Sequence, residues 1–212
     1  MKDSILEALS TWLAAGRNRF GELIIKGTEL CHYHDRDRED LELFTKPEAA
    51  RLIATLDDAD QYRPLKSAPN LRHGWKLVLK DLQEVKLALD FFYPAMLGTL
   101  LAWEQQRLAA TNFRDTVARQ SGMYAVTKHI SNAQADELIG EFCRHDTKCL
   151  KRILWQIDTE RPITTLAHQK FLPPAGPHGL GLLEPEEIPL ICCEACNLLV
   201  AAARRVVKVS GE

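Results

Sequence analysis

The sequence has almost no imbalance of charge: 27 Lys and Arg stand against 29 Asp and Glu, for a net charge of −2. Such a balance creates no field that would draw the chain to nucleic acid or to an anionic membrane, so neither is expected as a partner. Long apolar runs are missing too. The longest, "LALDFFYPAMLGTLLAW", carries Asp90 and Pro94 and falls short of a membrane span. At the N-terminus Asp3 and Glu7 interrupt "MKDSILEALSTWLAAG", which reads as an amphipathic helix and not as a signal peptide. The expected location is therefore cytoplasmic, a reducing compartment where cysteines serve metals or catalysis more often than disulfides. The chain also shows no internal repeat, low-complexity block, Gly-rich phosphate loop, nucleophile–base pair or carboxylate constellation. Nothing in it announces a stand-alone enzyme.

What is present is a chain of 212 residues, 46% apolar and 26% charged, enough for one sizeable core or two small ones. The pattern predicts an α+β fold, with short N-terminal strands and a hairpin followed by a mostly helical C-terminal part. The expected division is a small α+β subdomain over 1–80 and a mainly helical domain over 81–212. A first helix spans 3–15. "FGELIIKGTELCHYH" holds two β-prone runs around Lys26-Gly27-Thr28, the signature of a hairpin. "TKPEAARLIATL" predicts a helix capped by Thr45, and "GWKLVLK" one more strand. Asp81 is the expected cap of a helix with Leu82, Val85, Leu89 and Phe92 at helical spacing, which Pro94 should kink or end. Further helices are expected near 95–109, 113–120, 134–143, 149–156 and 190–208. A Pro- and Gly-rich connection fills 158–189.

Five of the six cysteines fall in two short stretches. "CRHDTKCLKRILW" carries Cys143 and Cys149, and "LICCEACNLLVAAARRVV" carries Cys192, Cys193 and Cys196; Cys31 stands apart. A polar turn between Cys143 and Cys149 lets their thiolates converge from different directions. Cys192 and Cys196 are i and i+4 on the expected helix, so their sulfurs would share a face, with Cys193 turned about 100° away. Pro189 would put Cys192 in the first turn, where unpaired amides and the helix dipole favour an anion such as a thiolate-held cluster. Arg144, Lys148, Lys151 and Arg152 surround the first pair and would stabilise that charge and raise the potential. Two other readings stay open. An apolar helix buries cysteines as ordinary packing. Zinc would take closer pairs than C-x5-C, with His145 as a substitute ligand.

The other conspicuous residues read more plainly. In "CHYHD", His32 and His34 share one face of a strand and suggest a metal, but two imidazoles on an exposed hairpin face are the plainer reading, with Cys31 pointing inward. "MYAVTKHIS" is β-branched and aromatic and reads as extended, not as a recognition helix. Arg119, Tyr124 and Lys128 are candidates to wall a cluster or hold an anion, and Asn197 to donate a hydrogen bond to a cluster sulfur.

The C-x5-C and C-x3-C pairs are similar to the 4Fe–4S motif of siroheme-dependent sulfite and nitrite reductases, a match that stops at the cysteines. A wider resemblance lies in "RPLKSAPNLRHGW", "LDFFYPA", "ARQSGMYAVTKHIS", "CLKRILW" and "EACNLLVAAARRVVK". These segments resemble the C-terminal part of CbiX-type, sirohydrochlorin chelatase-like proteins, in which a stabilising domain and a 4Fe–4S-binding domain follow chelatase-like domains. The resemblance covers roughly residues 20–208 and places the cluster thiolates on Cys143, Cys149, Cys192 and Cys196. It departs from the family pattern at Cys193, where the family has a non-cysteine, so Cys192 and Cys193 both stay candidates for the third thiolate. No chelatase-like α/β domain with metal-inserting histidines precedes the region, so the expectation is the cluster-bearing part alone. The resemblance implies a 4Fe–4S cluster with a redox or accessory role in siroheme or cobalamin metabolism, beside a chelatase-like or redox partner. The alternative is a structural metal, cluster or zinc, acting as a folding staple.

Overall fold

The computed structural model describes residues 4–108, 111–142, 149–153, 155–156, 162–163, 184–192 and 195–210. The chain divides into two units. One comprises 1–105 with 183–190, the other 106–182 with 191–212.

The first unit opens with helix α1 (Ser4–Ala14), which buries Leu9 and Trp12. Strands β1 (Arg19–Phe20), β2 (Leu23–Lys26) and β3 (Glu29–His32) follow. The hairpin expected around Gly27 is there: Lys26 faces Glu29, and Gly27 takes φ +62°, the left-handed backbone that such tight loops demand. Strand β4 (Glu42–Phe44) precedes helix α2 (Ala49–Ile53). Thr45 does not cap it. The chain first makes i→i+3 turns from Lys46 to Arg51, so the N-cap is Glu48, whose side chain makes no capping bond.

Strand β5 (Trp75–Val78) alternates buried and half-buried residues as its sequence predicts. Asp81 then caps helix α3 (Leu82–Phe92), its carboxylate accepting the Glu84 amide. The helix stops before Pro94, and α4 (Met96–Glu104) leaves at 102° to it. Among the described residues no single helix is long and apolar enough to cross a membrane.

Beyond Gln105 come β6 (Thr111–Asn112), helix α5 (Phe113–Ala118), a 3₁₀ helix over Gly122–His129 and helix α6 (Asn132–Phe142). The segment "MYAVTKHIS" is thus mostly 3₁₀ helix, not extended chain. Thr127 is fully buried there, and its hydroxyl donates to the carbonyls of Val117 and Tyr124. The short strands β7 (Arg152–Ile153), β8 (Trp155–Gln156) and β9 (Pro162–Ile163) follow, then β10 (Glu187–Ile188), β11 (Ile191–Cys192) and helix α7 (Asn197–Ser210). The helices expected near 149–156 and from 190 are corrected by these strands. Ile153 and Trp155 suit a strand, and β7 finds a parallel partner in β11 while β8 lies between β6 and β9.

The first unit is built on a six-stranded mixed sheet in the order β10-β1-β2-β3-β5-β4. Its outer pairs, β10 with β1 and β4 with β5, are parallel; the inner pairs are antiparallel. Phe20, Leu23, Leu30, Trp75 and Leu77 from the sheet are buried, as are Val85, Leu89 and Phe92 from α3 and Leu100 from α4. Trp75 stacks on Phe92 with centroids 5.1 Å apart. This burial explains why the units divide after Gln105 and not after residue 80. Both α3 and α4 pack on α1, so the helices that follow β5 complete the first core.

Two glycines of this unit give a paired test. At Gly21, φ +62°, a Cβ would lie 2.7 Å from Cζ of buried Tyr93, whose hydroxyl accepts the Glu22 amide at 3.0 Å. At Gly27, also φ +62°, nothing lies within 4 Å. Gly27→Ala should therefore cost only the left-handed backbone, about 1 kcal/mol. Gly21→Ala should add an overpacking cost of about 1–3 kcal/mol. Urea unfolding of both variants checks this, and equal losses would show that the Tyr93 ring can yield.

Candidate cluster site

In the second unit the core is made by Phe113 and Val117 of α5, Ile130 after the 3₁₀ helix, Leu138 and Ile139 of α6, and Leu199, Val200 and Ala203 of α7. Cys192 belongs to this core, and Cys196 packs against it half-buried. Three of the four expected thiolates lie among the described residues, and three different kinds of backbone carry them. Cys149 is buried just before β7. Cys192 is buried on β11, whose parallel register sets it opposite Ile153 and sets Ile191 opposite Arg152. Arg152 is only three positions after Cys149, so the Cys149 Cα lies within about 11 Å of that strand pair. Cys196 immediately precedes α7, and its carbonyl accepts the Val200 amide at 3.0 Å.

This arrangement corrects the reason for the pairing. Cys192 and Cys196 do not share a helix face, because the helix begins at Asn197. The residue at the helix N-terminus is Cys196, not Cys192. That residue precedes the first turn of α7, whose amide groups lack intrahelical partners, and the turn carries no acidic side chain. A 14-residue helix has a full dipole to offer an anion there. With the shared face gone, the choice between Cys192 and Cys193 loses its helical argument. Cys143, Arg144, Lys148 and Cys193 lie outside the described residues.

The donors fit a cluster. Thiols carried by a loop, a strand and the residue before a helix are the donors that such a cluster takes, one thiolate per iron. Asn197, the first residue of α7, follows Cys196 directly, and the 3₁₀ helix that carries Tyr124 and Lys128 packs on α7. Arg119, Tyr124, Lys128 and Asn197 are exposed, and Arg119 reaches Thr116 Oγ1 at 3.4 Å. Lys151 is half-buried.

A second constellation, missed as a site in the sequence, lies in the first unit. Cys31 points inward as expected, but His32 is buried as well, only 1% exposed, and His34 lies in a 3₁₀ turn over Tyr33–Asp35. The hairpin face is not an exposed one. His32 Nε2 lies 3.6 Å from Oε1 of buried Glu22. Asp35 is buried beside His73, with Oδ2 3.5 Å from Nδ1. Burial pushes the Asp35 carboxyl up, but the Gly74 amide, Arg38 and His73 together outweigh it and hold it below the usual range. Burial and the two neighbouring imidazoles hold the pKa of His34 down. "CHYHD" was a visible signal; its partner in "LRHGW" is some forty residues away and nothing local ties the two.

Two family models match the chain. Residues 6–107 match the DR2241 stabilising domain, and residues 105–205 match a 4Fe-4S iron-sulfur cluster binding domain. Among curated proteins nothing matches. Among solved structures the chain is similar to DR2241 from Deinococcus radiodurans, at 30% identity and a TM-score of 0.71. That protein's 1.9 Å crystal structure is described as a multi-domain protein with structural similarity to chelatases and two additional novel domains. The match covers 96% of this chain and 42% of that one, so the chain spans less than half the length of its relative. Residues 6–107 are thus similar to the DR2241 stabilising domain and residues 105–205 to a 4Fe–4S cluster-binding domain.

Proposed function

We propose that this chain is the cluster-bearing accessory module of a chelatase-like system. Cys143, Cys149, Cys192 and Cys196 hold the cluster, and a chelatase-like or redox partner in siroheme or cobalamin metabolism uses it. Bound, such a cluster supplies one-electron chemistry. The observation that carries this reading is the fold match of nearly the whole chain to part of a larger protein similar to chelatases. The cations of the first ligand segment support it, since positive charge beside a cluster raises its potential and offers a rim for an acidic donor.

A second reading, a structural staple, rests on one specific observation. Cys149 and Cys192 are buried, and Cys192 belongs to the core of its unit. A group held there would supply folding energy.

Dithionite titration followed by electron paramagnetic resonance separates the two. The accessory reading expects reversible reduction, and a lower potential when Lys148 and Arg152 are both changed to glutamine. A cluster that resists reduction, and whose removal melts the C-terminal unit, would leave only the staple.

A further inference from the structure

Outside the cluster region, His32, Asp35 and His73 each offer one ligand atom, and these atoms lie within 4.8 Å of one another. We propose that they form a binding site for a divalent first-row transition cation such as zinc, independent of the cluster thiolates. Two imidazole nitrogens and one carboxylate oxygen are the donors that zinc and its neighbours accept. Tetrahedral bonds of about 2.0–2.1 Å place ligand atoms about 3.4 Å apart. Asp35 Oδ2 and His73 Nδ1, at 3.5 Å, already stand at that spacing.

The outer groups point the same way. His32 turns Nε2 toward Glu22 Oε1, and His73 turns Nε2 toward Asp58 Oδ2, each at 3.6 Å. The other carboxylate oxygen of Asp58 accepts the backbone amide of His73 at 2.6 Å, which holds that residue in place. Both rings thus have Nε2 beside a carboxylate, which leaves as metal-binding atoms Nδ1 of His73, facing Asp35, and Nδ1 of His32 once it releases the His34 amide. A carboxylate behind each ligating histidine is the usual way such rings are oriented and made more basic.

Existing hydrogen bonds leave room for the ion. His32 Nδ1 accepts the His34 amide at 3.2 Å, a long bond that a cation would displace. Asp35 accepts the Gly74 amide at 2.8 Å and Arg38 Nη1 at 3.2 Å. A carboxylate has about four lone-pair positions, so acceptor capacity remains. His32 and Asp35 are buried, whereas the His73 side chain is 36% exposed and gives the ion a route in. Three protein ligands leave a fourth position for water or an anion, the open arrangement and not the closed structural one.

The test uses anaerobically prepared, cluster-loaded protein, so that the cysteines are already engaged, dialysed against micromolar zinc. About one zinc per chain should be retained beyond the iron. Cobalt(II) in place of zinc should give the visible bands of tetrahedral nitrogen and oxygen coordination without a thiolate charge-transfer band. His73→Ala should weaken binding at least tenfold, and Asp58→Asn should weaken it about 10–100-fold. His73 and Asp58 are both accessible, so these variants avoid the folding role that Asp35 has through Gly74 and Arg38. Absence of retained zinc, retention unchanged in His73→Ala, or a cobalt spectrum with thiolate character would overturn the proposal.

Discussion

Cys149→Ser and Cys196→Ser are expected to empty the cluster site. Anaerobically purified wild-type protein should be brown and contain about four iron and four acid-labile sulfide per chain, the composition of a cubane cluster. Each serine variant should lose most of both, and Cys143→Ser likewise, because serine oxygen is a poor substitute for thiolate toward iron–sulfur clusters. Cys31→Ser should keep the cluster, since Cys31 sits on β3 in the other unit. The adjacent pair is the sharpest comparison. Cys192 is buried on β11, so its replacement should matter more than that of Cys193. Should Cys193→Ser empty the site while Cys192→Ser retains iron, the third thiolate is Cys193 and Cys192 is core packing. Stoichiometric zinc without sulfide after anaerobic handling would defeat the cluster reading as a whole.

Glu22→Gln is expected to destabilise the first unit by about 3–5 kcal/mol, the cost of breaking one side of a buried ion pair. Glu22 and Arg63 have side-chain exposures of 6% and 1% and meet at 3.1 Å. The same carboxylate accepts the Leu71 amide, and the Glu22 backbone amide donates to Tyr93. Arg63 also donates to Asn70 Oδ1 and to the Ala68 carbonyl, while its buried Nη1 has no partner among the described residues. Among the described residues Glu22 is the only carboxylate bonded to this guanidinium, and removing it would leave the charge buried with neutral acceptors. Burial and the Glu22 charge also push the Tyr93 hydroxyl up. Urea unfolding measures the loss, and a double-mutant cycle with Arg63→Met isolates the coupling. A loss below about 1 kcal/mol would mean that water reaches the pair and that it behaves as a surface ion pair.

The cysteines and the stronger helices could be read without a structure. Asp81 caps α3 as its position implied, because a cap is a contact between residues three apart. Gly27 makes its hairpin for the same local reason. The pairing of C-x5-C with C-x3-C pointed to a metal centre, and the resemblance of those pairs and their surrounding segments to known cluster-binding proteins pointed to a 4Fe–4S cluster. The error at 149–156 and at 190–196 has one cause. Two-residue strands carry almost no periodicity, and β7 exists because β11, some forty residues later, lies beside it. The boundary error has another. A change from strand to helix at Asp81 looks like a domain boundary, yet α3 and α4 were needed to cover the sheet that precedes them.

By itself the sequence determined the class of cofactor, the α+β character and the locally encoded turns and caps. These depend on residue chemistry and on neighbours a few positions apart. Tertiary structure alone decided that Cys196, not Cys192, stands at the helix start, that β10 returns from residue 187 to pair with β1, and that His73 comes to rest beside His32 and Asp35. Each is a meeting of segments distant along the chain, chosen by burial and by the need of backbone groups for partners. Neither requirement leaves a pattern within one short stretch of sequence.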